Sequence, residues 1–133
     1  MKALYNYSIM FLLVILSIQC SDEITSRDYP RLKTHKVTDI SESGATFSAE
    51  IIYRGNFEII KYGFVWSEDR IPIVGPSEEV EYLDNINSEK FSSRISSKLR
   101  KGVSYNVRPF IITDDYTVYG ANVTFLSMGS EAP

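Results

Sequence analysis

The sequence predicts an all-β domain, a β-sandwich of about seven strands. Three observations carry that prediction. From Pro30 onward no stretch shows helical periodicity, whereas apolar and polar residues alternate repeatedly. The apolar stretches have strand length and are rich in β-branched and aromatic side chains. Turn-forming residues separate them at short, regular intervals.

The elements follow in order. RLKTHKVTDI (31–40) is β-branched and polar-alternating and reads as a first, edge-like strand. Ser41 to Gly44 is a turn. ATFSAEIIY (45–53) alternates clearly: Ala45, Phe47, Ala49, Ile51 and Tyr53 face one way, Thr46, Ser48 and Glu50 the other. Arg54, Gly55 and Asn56 form the next turn. EIIKYGFVWS (58–67) carries Ile60, Tyr62, Phe64 and Trp66 on one face, with Ile59, Gly63 and Val65 on the other, as expected of a central strand. A long loop follows, with Pro72 and Gly75. Glu78, Glu79 and Glu81 mark a charged edge segment that discourages pairing with foreign sheets. EKFSSRIS (89–96) and VSYNVRPFII (103–112) are further strands. Asp114 and Asp115 make a hairpin turn, from which TVYGANVTFLS (117–127) returns.

Length and composition fit one globular domain. The chain has 133 residues, 44% hydrophobic and 23% charged. Its 14 Lys+Arg and 17 Asp+Glu give a net charge of -3, mixed along the chain, which leaves no footprint for nucleic acid. A single Cys rules out an internal disulfide and multi-Cys zinc sites, and a single His rules out His-rich metal sites.

The N-terminus predicts export. Lys2 precedes a nearly unbroken apolar run from Ile9 to Ile18. That run is shorter than a transmembrane helix and has the length of a signal-peptide core. Cys20 ends it. The segment resembles a bacterial lipoprotein signal: Leu16, Ser17 and Ile18 suit the pattern, while Gln19 stands where a small residue is usual. The resemblance implies cleavage before Cys20, lipidation of Cys20 with palmitate-type chains, and attachment to the outer membrane of a Gram-negative bacterium. Three acyl chains would hold it stably, where one would not. Ser21, Asp22 and Glu23 resemble the surface-export signal of some such lipoproteins, and read equally well as a solvated acidic linker. The expected organisation is a leader (1–19), a lipidated Cys and tether (20–29), a sandwich (30–127) and a short tail (128–133).

Three further stretches carry a second resemblance. KYGFVWS (61–67) holds Trp66. LRKGVSYNVRPF (99–110) places Leu99, Gly102, Tyr105 and Arg108 around the sixth strand. TVYGANVTF (117–125) ends the domain. Together they resemble a fibronectin type III-like domain of bacterial surface lipoproteins. The resemblance implies an immunoglobulin-like sandwich in which Trp66 fills the core, Leu99 plugs its bottom and Tyr105 forms a tyrosine corner. Gly120 would permit a bulge or a close backbone approach. Pro109 departs from the pattern and predicts a bulge or an unpaired amide in the sixth strand.

Chemistry is sparse. His35 lies among Lys33, Thr34 and Lys36 on a polar strand and has no evident catalytic partner. No nucleophile-elbow motif is present. Asp84, Asn85, Asn87 and Glu89 lack calcium-loop spacing and read as a solvated turn. No catalytic residue, metal site or cofactor is expected. Two loops are the candidate binding elements. EDRIPIVGP (68–76) offers Ile71, Ile73 and Val74, either as a contact surface or folded down over the sandwich edge. The turn of Asp114, Asp115 and Tyr116 offers an aromatic ring beside two acids. The expected function is a non-catalytic, lipid-anchored binding or spacer module, with a protein or glycan partner at the cell surface. One alternative is a carbohydrate-binding accessory protein, which would gather Tyr53, Tyr82, Tyr116 and Tyr119 into an exposed patch. Another is a truncated member of a longer multidomain surface protein.

Overall fold

A computed structural model describes residues 29–130, and every regular element among them is a strand. The leader, Cys20, the tether up to residue 28 and residues 131–133 lie outside the described residues. Alternation builds the first sheet. Strand β3 (Gly44–Tyr53) buries Ala45, Phe47, Ala49 and Ile51 and turns Thr46, Ser48 and Glu50 outward. Strands β1 (Arg31–Thr34) and β2 (Thr38–Ser41) pair successively with one edge of β3, and β6 (Lys90–Ile95) pairs with the other. In the second sheet β4 (Ile59–Ser67) lies between β5 (Glu79–Leu83) and β7 (Ser104–Thr113). The far edge of β7 is shared by β8 (Thr117–Tyr119) and β9 (Val123–Leu126). All pairings are antiparallel. The sandwich therefore has seven rows, two of which are broken in the middle.

Both breaks have the same cause. The expected first strand splits because Thr34 to Val37 holds one residue more than the β3 segment opposite: Thr34 pairs with Ala49 and Thr38 with Thr46. The last strand splits likewise, since Tyr119 pairs with Phe110 but Val123 with Val107. An extra residue on one strand of a pair is the definition of a bulge. The two breaks meet across the sandwich edge, where the Thr34 hydroxyl donates to the Ala121 carbonyl at 2.7 Å.

Pro109 does not bulge its own strand. The register between β4 and β7 runs evenly from Ser67–Asn106 to Tyr62–Ile111, with Phe64 opposite Pro109. A strand residue aims its N–H and its carbonyl at the same neighbour. The Pro109 carbonyl accepts from Gly120 N at 3.0 Å, so its missing N–H faces the gap between β8 and β9. The irregularity lies in the partner strand. A Cβ on Gly120 would sit 2.6 Å from Pro109 Cγ and from Thr34 Oγ1, so only glycine lets the three segments close. Ile60 also departs from its expected face: the register shifts between Ile59 and Lys61, leaving Ile60 exposed.

The main core lies between the sheets. Phe47 is ringed edge-on by Phe64, Trp66 and Phe125, and Ile95, Leu99, Tyr105 and Val107 complete it. A smaller cluster of Ile51, Tyr62 and Ile111 fills the end nearer Tyr29. There the Tyr62 hydroxyl donates to the Asp84 carbonyl at 3.3 Å. Burial, then the Asp84 charge, push the Tyr62 pKa above its ordinary value.

β4 and β5 approach closely at Gly63, where a Cβ would stand 1.9 Å from the Glu81 carbonyl oxygen. Gly63→Ala should therefore force the charged edge strand away and cost about 2 kcal/mol, of the order found for overpacked interiors. Urea unfolding would measure the loss. A midpoint equal to that of the parent would show that β5 contributes little.

Candidate functional site

Strand β7 is apolar on both faces. Val107, Pro109 and Ile111 enter the core, while Phe110 on the opposite face is also fully buried, as is Val65 beside it on β4. A sheet surface buried on its outer side needs a cover, and residues 68–77 supply it. Pro72 is buried against this face. Three strand side chains hold the covering backbone. Asn106 Nδ2 donates to the Glu68 carbonyl at 3.3 Å, and Arg108 Nε donates to the Pro72 carbonyl at 2.5 Å. Val74 N–H donates to the Tyr119 hydroxyl at 2.8 Å. The Arg108 guanidinium also lies over the Tyr119 ring, 3.8 Å from its centroid. Its partial burial lowers its pKa, against an opposing contribution from Tyr119.

The ends of this strap are fastened by charge. Arg70 Nε donates to Glu78 Oε1 at 2.6 Å, closing the loop on itself, and the Glu78 side chain is only 3% exposed. Arg100 bonds Glu68 through Nε at 3.0 Å, and Lys98 Nζ lies 2.7 Å from Glu79 Oε2. These pairs border a cleft of about 470 Å³ floored by Trp66 and Tyr105.

Pinned in this way, the strap turns its two largest apolar side chains outward. Ile71 is 59% exposed and Ile73 58%, while Val74 is half-buried. The strap's backbone and Pro72 fold down over the sheet, whereas its isoleucines point to solvent rather than over the sandwich edge. Removing the Tyr119 hydroxyl tests the middle anchor. Tyr119→Phe should cost about 1 kcal/mol, the net value of one hydrogen bond, and raise amide exchange at Val74 selectively. Unchanged exchange there would mean that Arg108 and Asn106 hold the strap without it.

The 114–116 turn lies elsewhere. Thr113 pairs with Ile59 at the start of β4, whereas the strap leaves from β4's other end. Thr113 N donates to the Tyr116 carbonyl at 2.8 Å, closing a tight hairpin with Asp114 and Asp115 exposed. Tyr116 packs edge-on against Tyr29, at 5.0 Å between ring centroids, and against Phe57, at 5.5 Å. The four tyrosines considered for a glycan patch occupy three places. Tyr53 lies under Arg31, Tyr116 sits in this aromatic cluster, and Tyr82 and Tyr119 flank Phe110 on the strap face.

The framework residues are placed as follows. Trp66 is 3% exposed, with its indole N–H donating to the Lys98 carbonyl at 3.4 Å. Leu99 is fully buried. The Tyr105 hydroxyl accepts from Arg100 N at 2.8 Å, five residues back, which is tyrosine-corner geometry. His35 sits in the first-strand break, 3.6 Å from Glu50. The anchoring role of Asn106, Arg108, Pro72 and Tyr119 was not foreseen. Its sequence signal was the two-sided apolar pattern of 58–67, which implies cover on both faces.

No family model matches the chain, and no curated protein does. Solved structures do. The sixth fibronectin type III domain of human fibronectin type III domain containing protein 3 aligns with a TM-score of 0.51 at 15% identity, over 86% of this chain and 97% of its own. The fold is fibronectin type III-like. The sensor domain of the anti-sigma factor RsgI4 from Pseudobacteroides cellulosolvens is also similar, with a TM-score of 0.57 at 13% identity, over 79% of this chain and 98% of its own. A myokine aligns at 0.50 and 13% identity, over 77% and 98%. That likeness shows the fold, and a fold by itself names neither role nor ligand.

Proposed function

We propose that this chain is a non-catalytic, lipid-anchored surface protein whose sandwich binds a protein partner through the 68–77 strap. The observation that carries the reading is the strap itself. Its backbone is held by Asn106, Arg108 and Tyr119, yet Ile71 and Ile73 project from it. A loop already ordered before binding loses little conformational entropy on contact. Two exposed branched aliphatic side chains suit an apolar pocket on a protein better than the hydroxyl-rich surface of a glycan. The anchor reading is supported by the apolar run before Cys20 and by the acidic residues after it.

The two parts separate experimentally. Cys20→Ala should abolish incorporation of labelled fatty acid and release the protein from the membrane fraction; unchanged labelling would overturn the anchor. A photo-crosslinking residue at position 73 should give a discrete protein adduct on intact cells, and one at Ser92, on the opposite sheet, should not. Ile71→Asp in the same chain should abolish the adduct with little change in thermal stability. An adduct indifferent to that substitution would overturn the strap as the binding element.

A further inference from the structure

We infer that the end of the sandwich bearing Tyr29, Phe57 and Tyr116 rests on the bilayer surface, so that the strap's exit from β4 faces away from the membrane. The inference rests on the lipid-anchor reading. Three observations support it. First, Tyr29 packs into this end of the sandwich, against Phe57 and Tyr116. Only residues 21–28 separate Tyr29 from Cys20. Even fully extended, that stretch spans about 30 Å, so a lipid on Cys20 keeps this end close to the bilayer.

Second, the residue types are those of a membrane interface. Tyr29, Phe57 and Tyr116 form one cluster, with centroids 5.0 to 5.8 Å apart. At the same end of the sandwich, Ile52, Tyr53 and Ile60 are exposed at the end of β3 and the start of β4. Aromatic rings with a polar edge favour the headgroup level. Arg54 is exposed in the same loop as Phe57, Arg31 lies over the Tyr53 ring and Lys61 over the Tyr82 ring. Long basic side chains of this kind keep their charge in water while their stems cover apolar surface.

Third, this end has no basic excess. Arg31, Arg54 and Lys61 stand against Glu58, Asp84, Asp114 and Asp115, one acid more than bases. Contact through rings and aliphatic groups, without a basic patch, does not depend on anionic lipid.

The test uses the acylated full chain. Acylation consumes the Cys20 thiol, so a cysteine introduced by substitution is the one free thiol. Asp115→Cys and Glu42→Cys place a fluorophore at the two ends of the sandwich. Each labelled protein is reconstituted into phosphatidylethanolamine–phosphatidylcholine vesicles containing headgroup-nitroxide lipid. The label at 115 should be quenched several-fold more than the label at 42, and equally with or without phosphatidylglycerol. Phe57→Ser with Tyr116→Ser should bring the two labels together. Equal quenching in protein that sediments with vesicles would overturn this orientation and leave the anchor standing. Quenching at 115 that requires anionic lipid would overturn the ring-mediated contact. Protein that fails to sediment would overturn the anchor and, with it, this inference.

Discussion

Phe47→Ala is expected to remove most of the domain's stability. Phe47 is 1% exposed and lies between the sheets, with ring centroids 5.5 Å from Trp66, 5.5 Å from Phe125 and 5.8 Å from Phe64. All three contacts are edge-on, the favoured aromatic geometry, so the loss exceeds area burial alone. Truncating a buried phenylalanine costs about 3–5 kcal/mol, against roughly 5–15 kcal/mol for a whole domain. The surrounding rings come from β4 and β9, whose backbones are held in the hydrogen-bonded ladders of the second sheet, so the cavity cannot collapse. For a domain near one hundred residues the melting temperature should fall by roughly 15–30 °C. Circular dichroism on heating would measure it. Phe47→Leu should lose less than half as much, because most of the volume remains. A Phe47→Ala protein melting within a few degrees of the parent would sink this account of the core.

The same central residues explain what could be read from the chain alone. Alternation at 45–53 identified the strand that carries Phe47, because one face of β3 is buried and the other is wet. The fibronectin type III resemblance placed Trp66 in the core and Tyr105 at a tyrosine corner, and both are buried there. The break at 35–37 left no local trace, whereas Gly120 marked the one at 120–122 as a place for a bulge or close backbone approach. Each is a single surplus residue relative to a distant partner, and they are held by Thr34, Pro109 and Gly120 meeting across the edge. Pro109 was a true anomaly assigned to the wrong strand: a missing donor disturbs the neighbour it faces, and sequence does not say which neighbour that is. The strap was harder still. Residues 68–77 have no periodicity, and their conformation is dictated by side chains thirty or more positions away in the chain, Asn106, Arg108 and Tyr119.

Arg108 is the residue through which that dictation is strongest, and Arg108→Ala should uncouple the strap from the sheet. Its guanidinium makes two contacts at once. Nε donates to the Pro72 carbonyl at 2.5 Å, and the plane covers the Tyr119 ring at 3.8 Å. A hydrogen bond from a charged donor contributes about 1.5–3 kcal/mol, and a partly desolvated cation–π contact about 1–2 kcal/mol. Screening by the solvent that still reaches the group, and the cost of burying it, bring the net loss to about 2–3 kcal/mol. The larger consequence is local. Without the guanidinium, the Pro72 carbonyl loses its donor, and the cover over Phe110 and Val65 loosens. Amide exchange should rise across 69–77, and protease should cut there first. Arg108→Lys is a sharper test than Arg108→Ala, because lysine keeps the charge but cannot donate from Nε while stacking flat on a ring. If Arg108→Lys behaves like Arg108→Ala, planar geometry holds the strap; if it behaves like the parent, charge alone does. Binding should follow the strap. The residue-73 adduct should weaken in Arg108→Ala although Ile71 and Ile73 are untouched, because a loosened loop must lose on contact the freedom that Arg108 had already removed. An adduct of undiminished yield from a demonstrably loosened strap would separate the two, leaving the isoleucines as binding residues and Arg108 as a framework residue only.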